Sequence, residues 1–294
     1  MSFTNCPICS GSSTQLYLKV KDFTVTGKVF QIVSCNDCTF KYTIDAPSES
    51  EIGPYYKSEE YISHTDTKSG LISRIYHLIR KFTLKQKRSW ISRYYPSKGS
   101  LLDYGCGTGA FLFEMYSNEW NVKGYEPDES ARNLVKQNYG LNILTKTELQ
   151  EIQPESFDII TLWHVLEHVH TLKHTLTHLV SLLNPNGFLL IAVPNSDSFD
   201  AEYYKEYWAA YDVPRHLYHF TPTILNVLAK EVKCELVDLI PMRFDPFYIA
   251  LLSEKYKKSG IFGYIRAFFV GIGSNLNPVK KASSVVYVLK RTNN

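Results

Sequence analysis

The sequence predicts an α/β protein: a doubly wound parallel sheet that begins near Leu101, preceded by a small cysteine-rich module. Three observations carry this reading. From Ser100 strand-like and helix-like segments alternate, an apolar strand runs into Gly105, Gly107 and Gly109, and two Cys-x-x-Cys pairs stand in the first 40 residues. At 294 residues, 44% hydrophobic and 21% charged, the chain has room for one large domain and an appendage, and its composition argues against extensive disorder.

The opening Met-Ser-Phe-Thr-Asn-Cys lacks the basic and apolar regions of a secretory signal, so a cytoplasmic chain with free thiols is expected. Cys6-Pro-Ile-Cys9 and Cys35-Asn-Asp-Cys38 form two knuckles about 25 residues apart, suited to four thiolates around one tetrahedral ion. Short strands at Gln15 to Val20 and Lys28 to Val33 around Gly27 complete a zinc-ribbon-like module over residues 1–45. A module this small needs a staple, and four thiolates leave no open position on zinc, so the ion is expected to be structural. Disulfides suit the compartment poorly, and a redox pair belongs within a βαβ unit that these knuckles precede.

Residues 46–99 read as a helical lead-in or lid, with Pro47, Gly53 and Pro54 first and an apolar helical spacing from Leu71 to Leu84 that Pro96 stops. Between Thr67 and Leu102 there are nine Lys or Arg and no acid, the pattern of a solvated helix face or of a contact with phosphate or an anionic surface. The net charge of +3 is too weak to indicate nucleic acid, which stays a possible but unfavoured partner.

In the main domain, residues 100–294, Leu101 to Tyr104 and Val122 to Tyr125 read as strands, each followed by a helix. Phe157 to Trp163 is a later strand, and its helix runs to Leu183, where the turn Asn184-Pro185-Asn186-Gly187 leads into the strand Phe188 to Val193. Glu235 to Ile240 and Ser284 to Leu289 close the domain around an aromatic insertion, about 243–283, expected to form a packed helical pair. Substrate cover, partner contact and membrane-surface docking are all open to it, but Ile261 to Ile272 is too short for a transmembrane helix and carries Arg266.

Glycines at alternate positions let a ligand approach the backbone at the carboxyl edge of the sheet, and Glu126 ends the next strand, where a carboxylate can accept from both hydroxyls of a ribose. The spacing is G-x-G-x-G and not the dinucleotide G-x-G-x-x-G, so the cofactor need not carry a phosphate. His164-Val165-Leu166-Glu167-His168 follows the strand ending at Trp163, on the edge where an acceptor would sit, and either histidine has the chemistry of a general base. The string also matches the H-x-x-E-H of inverted zinc peptidases, but that pattern belongs inside a helix. His170, His174 and His178 are expected to share one exposed helix stripe.

Leu102-Asp103-Tyr104-Gly105-Cys106-Gly107-Thr108-Gly109, Gly124-Tyr125-Glu126-Pro127, Phe157-Asp158-Ile159-Ile160 and Leu183-Asn184-Pro185-Asn186-Gly187-Phe188 together resemble the ordered signatures of class I S-adenosylmethionine-dependent methyltransferases over residues 100 to about 240. The resemblance implies a seven-stranded Rossmann-like sheet and transfer of a methyl group to a small or carrier-linked acceptor. It implies that Asp103, Gly105, Gly107 and Gly109 cradle the methionine part of the cofactor and that Glu126 holds the ribose. Residues 164–168 resemble the Glu-x-x-Glu-His box of quinone-biosynthesis and small-RNA O-methyltransferases, which binds a divalent metal; His164 replaces its first Glu. Trp208 to Pro222, together with Val193-Pro194-Asn195, resembles a Trp-x(n)-Asp-x-Pro-Arg-His-x-x-His-Phe box found in a subgroup linked to surface-glycan or small-metabolite synthesis, many of whose members carry an N-terminal Cys-pair domain. That likeness implies that Arg215, His216 and His219 face the acceptor, and that Tyr56, Tyr61 and His64 close over the cofactor carboxylate. His164, His168 and His216 are thus the candidate bases. The rivals are an RNA methyltransferase, a quinone or phenol O-methyltransferase, and a catalytically silent zinc-ribbon adaptor.

Overall fold

The structure is a computed structural model that describes residues 5–56 and 71–292, with residues 71–78 described by their backbone alone. Strands β1 (Thr14–Lys21), β2 (Val29–Cys35) and β3 (Lys41–Ile44) come first, followed by α1 (Leu71–Tyr94), β4 (Ser100–Tyr104), α2 (Ala110–Tyr116), β5 (Asn121–Tyr125), α3 (Glu129–Tyr139), β6 (Ile143–Leu144), α4 (Lys146–Gln150) and β7 (Phe157–Trp163). Then come α5 (Leu172–Ser181), β8 (Leu183–Pro194), α6 (Phe199–Tyr204), β9 (Tyr218–His219), α7 (Pro222–Glu231), β10 (Cys234–Pro241), α8 (Asp245–Tyr256), α9 (Gly260–Leu276) and β11 (Ser284–Arg291).

The large sheet has seven strands in the order β10-β11-β8-β7-β4-β5-β6, as the resemblance implies. Strands β4 to β8 run parallel, and β11 lies antiparallel between β8 and β10. Its central strands are apolar on both sides because helices cover both faces. Leu102, Ile160 and Leu189 pack on one side, while Leu101, Ile159 and Leu190 pack on the other with Trp90 and Ile91 of α1. The chain leaves β4 toward β5 and β6, then returns to place β7 on the other side of β4, so a crevice opens where their carboxyl ends diverge. The glycine loop follows one of these strands and His164 the other.

The turn expected at Asn184 to Gly187 is a bulge inside β8. Leu183 already pairs with Phe157, Phe188 pairs with Ile159, and the residues between them loop out with Asn186 at φ 70°. The insertion forms the expected helical pair, α8 and α9, and no helix among the described residues is long and apolar enough to cross a membrane.

The hairpin β1–β2 and strand β3 form a second, antiparallel sheet whose fourth strand is β9, with Lys41 opposite His219 and Tyr42 opposite Tyr218. A core of Val20, Phe30 and Ile32 packs the hairpin onto Trp208, Tyr211 and Ile249. The hairpin turn is organised by buried Asp22, which accepts from the backbone of Thr24, Val25 and Thr26 and from both threonine hydroxyls. Arg215, only 2% exposed, ties this turn to the rest. Its guanidinium donates to Asp22 at 3.2 Å, to both oxygens of Asp212 at 2.6 and 2.9 Å, and to the Tyr55 carbonyl at 3.0 Å. Burial pushes the Asp22 carboxyl up, but the hydrogen bonds from Thr26 and Thr24 and the Arg215 charge outweigh it and hold the group below the usual carboxylate range.

A carboxyl group held low stabilises the fold fully above its ordinary pKa, and the contribution disappears as pH falls through the depressed one. Asp22→Ala leaves a buried cation under-compensated, so urea denaturation at neutral pH should show a loss of about 3–5 kcal/mol. The gap between variant and wild type should narrow on acidification below the carboxylate range, because the wild type then loses the same pair.

Candidate active site

Gly105 and Gly107 adopt φ of 75° and 52°, a left-handed backbone that side chains oppose. At Gly105 a Cβ would lie 2.6 Å from Val165, so the loop after β4 packs directly on the segment after β7. A Cβ at Gly107 would meet nothing within 4 Å, so this glycine faces open space in the crevice. Its amide donates to Glu126 Oε2 at 2.9 Å, and Oε1 of the same carboxylate accepts from Asp128 at 3.0 Å. Burial raises the Glu126 carboxyl above its ordinary value, with these two hydrogen bonds opposing.

Asp103 is buried beneath the loop and accepts from Thr161 Oγ1 at 2.7 Å. Burial pushes its pKa up to about 6 against the pull of Thr161 and Lys87. Lys87 of α1 sits half-buried, 4.2 Å from the centre of the Trp163 ring, and desolvation brings it down to about 8 against the attraction of Asp103 and Asp245. In the sequence Lys87 is one of nine basic residues between Thr67 and Leu102; only the fold picks it out.

His164 leaves β7 at φ 56° and is anchored by its amide to the Ala192 carbonyl at 2.9 Å. Its Nε2 lies 3.1 Å from Asp245 Oδ2 and its Nδ1 3.5 Å from Glu167 Oε1. Desolvation lowers its pKa, but the two carboxylates outweigh this and raise it to about 9, which makes it an imidazolium at neutral pH. His168 is opposite in character: burial and neighbouring His216 bring it down to about 4, so it is neutral. Its Nδ1 meets the Tyr56 hydroxyl at 3.0 Å and the Arg215 carbonyl at 3.1 Å. His216 Nδ1 lies 2.8 Å from the Ala210 carbonyl. A carbonyl can only accept, so Nδ1 carries the proton and Nε2 of the neutral ring keeps a lone pair.

Glu167 is fully buried between these rings; its Oε1 faces charged His164 at 3.5 Å, and neither oxygen accepts a well-formed hydrogen bond among the described residues. Donor atoms of Glu167, His168 and His216 lie within 4.8 Å of one another. Glu167 and His216, with His164, Asp212 and Asp245, line a cavity of ≈ 360 Å³ whose remaining wall is largely apolar, from Pro194, Ala209, Ala210 and the α8 side chains Ile249 and Leu252; His168 stands behind it. Thr24 reaches it from the N-terminal hairpin. The sequence did not mark Thr24 or Asp245, because distant segments bring them here, and it gave Asp212 a place in the Trp208 box but no role.

Two expectations from the Trp208–Phe220 segment are corrected. Arg215 does not face the cavity, because its donors are taken by Asp22, Asp212 and Tyr55. His219 is buried in β9, with Nε2 3.0 Å from the Thr43 hydroxyl. The histidines of α5 and the turn before it form no common exposed stripe: His170 contacts the Pro47 carbonyl, His178 is half-buried, and His174 is exposed. Tyr61 and His64 lie outside the described residues.

The thiols of Cys6 and Cys38 are 3.5 Å apart, as are those of Cys9 and Cys35, and all four lie within 4.8 Å. The two knuckles share one backbone form. In each, the amide after the second cysteine bonds back to the carbonyl of the first, and the donors, Ser10 and Thr39, have φ of 62° and 64°.

Residues 76–239, over half of the chain, match the family described as a methyltransferase domain. The chain belongs to this family. It is 26% identical over 184 residues to a ubiquinone biosynthesis O-methyltransferase of Dechloromonas aromatica (strain RCB), covering 57% of this chain and 76% of the relative. It is 25% identical over 175 residues to the protein of that name from Pseudomonas aeruginosa (strain UCBPP-PA14), covering 53% and 71%. Two solved structures share the fold. One is 1,6-didemethyltoxoflavin-N1-methyltransferase of Burkholderia thailandensis (TM-score 0.52, 16% identity, covering 88% of this chain and 98% of that one), and the other is magnesium protoporphyrin IX methyltransferase of Synechocystis PCC 6803 (0.52, 12%, covering 81% and 97%). The protein is an S-adenosylmethionine-dependent methyltransferase.

In this methyltransferase the charge of His164 rests on Asp245. In Asp245→Asn the imidazole pKa, followed by NMR titration, should fall by at least about one unit, since a facing carboxylate raises a histidine by that order.

Proposed function

We propose that the chain methylates a small or carrier-linked hydroxyl acceptor, such as a sugar or glycan precursor, held in the cavity under α8. The observation that carries this is the junction of two half-sites at one crevice: the Gly107–Glu126 contact on one side, and on the other a charged His164, a neutral His168 and a His216 whose Nδ1 faces a carbonyl. When bound, S-adenosylmethionine supplies a methyl group on a sulfonium and leaves as S-adenosylhomocysteine. Asp103 and the loop Gly105, Gly107 and Gly109 would hold its amino-acid end, and the Glu126 carboxylate would accept from the ribose hydroxyls. His216 Nε2 would take the proton that the acceptor hydroxyl gives up on methylation. His164, charged, orients the acceptor and does not act as the base; His168, bonded to Tyr56, positions His216 through their ring contact at 4.6 Å. Much of the acceleration in such a transfer comes from alignment and exclusion of water.

The four cysteines fit a structural zinc ion. Zinc–sulfur bonds of about 2.3 Å give tetrahedral edges of about 3.8 Å, and the thiol pairs are already close to this. The ion would hold residues 1–45 as a unit against the 46–99 lead-in and the 100–294 domain.

A second reading has one observation of its own. The buried Glu167 carboxylate, with no well-formed hydrogen bond and with donor atoms of His168 and His216 close by, is a set that suits a divalent cation, and a cation there would activate a phenol such as the quinone-pathway relatives' printed names suggest.

Glu126→Gln should weaken cofactor binding at least about tenfold by calorimetry, the size of a lost charged hydrogen bond; unchanged binding overturns the cofactor assignment. His216→Ala should lower kcat by about 10²–10⁴ with cofactor affinity kept. A screen for S-adenosylhomocysteine release over nucleotide sugars, phenols and RNA separates the acceptors, and activity on phenols alone that requires added manganese or magnesium establishes the second reading. Purified wild type should carry zinc by atomic absorption, and Cys35→Ser should not retain it.

A further inference from the structure

Helix α9 is built inside out for a helix facing water. The side it turns to α8 and the body carries Gly263, Ala267, Val270, Gly271 and Ser274, all buried. A Cβ at Gly271 would lie 2.4 Å from the Phe247 ring, so small residues are what allow the two helices to approach. Its large apolar residues point outward: Ile261 and Phe262 are each 73% exposed, Phe269 64% and Leu276 81%, with Tyr264, Ile265 and Phe268 also exposed. Small residues inside and aromatic ones outside is the arrangement of a helix that meets hydrocarbon.

The exposed face continues onto α8 through Tyr248 and Leu251, and onto α1, where Phe82 meets Phe244 with ring centroids 5.6 Å apart. Single exposed apolar residues are ordinary, but a contiguous patch spread over three helices marks a contact surface.

Charge identifies the occupant. From Lys255 to Lys281 there are six basic residues and no acid. Arg266 is bound to Glu254 at 2.6 and 2.9 Å, and Lys281 pairs with Glu202. Lys255, Lys257, Lys258 and Lys280 are exposed at the two ends of α9. Lys255 and Lys258 line one cleft with Leu251 and Tyr264, which places ammonium groups at the rim of the apolar face. The lead-in helix adds a basic stretch without acids beside Phe82. An apolar plane rimmed by cations matches acyl chains beneath anionic headgroups; a second copy of this same basic surface would repel it.

We propose that the α8–α9 pair docks on an anionic lipid surface, lying in the interface without crossing it. Tyr248 and Leu252 of α8 also line the acceptor cavity, so a docked α8 would bring that cavity to the membrane plane. The docking stands on the exposed face alone and is independent of which acceptor is used.

The test is co-sedimentation of the full chain with vesicles of phosphatidylcholine containing phosphatidylglycerol, and with phosphatidylcholine alone. Binding is expected to the anionic vesicles, at least tenfold weaker to the neutral ones, and falling with salt. Phe262→Ser with Phe269→Ser should lose at least tenfold, and Lys255→Glu with Lys258→Glu should abolish the preference for anionic lipid, both with unchanged calorimetric binding of S-adenosylmethionine. Equal sedimentation of wild type and the phenylalanine variant, or no binding at low salt, overturns the proposal. So does a wild-type dimer by light scattering that the same two serines dissolve while vesicle binding is absent.

Discussion

The Arg215 guanidinium is the constraint on which the acceptor side depends. It sits out of water and meets two carboxylates and a carbonyl from three separate stretches of chain, namely the hairpin turn at Asp22, the lead-in at Tyr55 and the loop at Asp212. Removing any of these partners leaves a buried charge imperfectly matched, so the three stretches are obliged to stay together. A backbone relay runs beside it. Thr43 donates to the Leu217 carbonyl at 2.9 Å, and Leu217 donates to the Glu167 carbonyl at 2.8 Å. The cysteine-rich sheet and the histidine edge are therefore one hydrogen-bonded assembly.

His164 and His168 take opposite charge states within one small region because their surroundings differ. His164 is flanked by two carboxylates, His168 by a carbonyl, a phenol and another imidazole, and His216 by a carbonyl that fixes its tautomer. This is how a fold separates an orienting cation from a proton acceptor without changing residue type. The separation depends on Asp245, at the start of the α8–α9 insertion, so the insertion completes the cavity and does not simply cover it.

The glycine loop was legible because its requirement is local: positive φ and absent Cβ atoms admit one residue type, and the strand before it is a run of apolar residues. The cysteine knuckles were legible because a tetrathiolate set needs a characteristic spacing. The bulge in β8 misled, since Asn184-Pro185-Asn186-Gly187 has turn chemistry whether or not a strand resumes around it. Arg215 misled in another way, because a motif gives a residue's place in the chain but not which of its neighbours will claim its donors. Strand β9, with two residues, is too short for any periodic signal, and Asp22, Lys87 and Asp245 acquire their roles only through contacts across the chain.

The pairing of Lys41 with His219 also sets an order of assembly. Strands β1 to β3 of the cysteine-rich sheet leave the ribosome before the parallel core, yet the sheet's last strand is made only after that whole core from β4 to β8 has been synthesised. Until then β3 presents an open edge, and such edges attract unrelated strands. A sheet begun before the core is thus completed after it, and the interval between those two events is when the nascent chain is most exposed to misassembly.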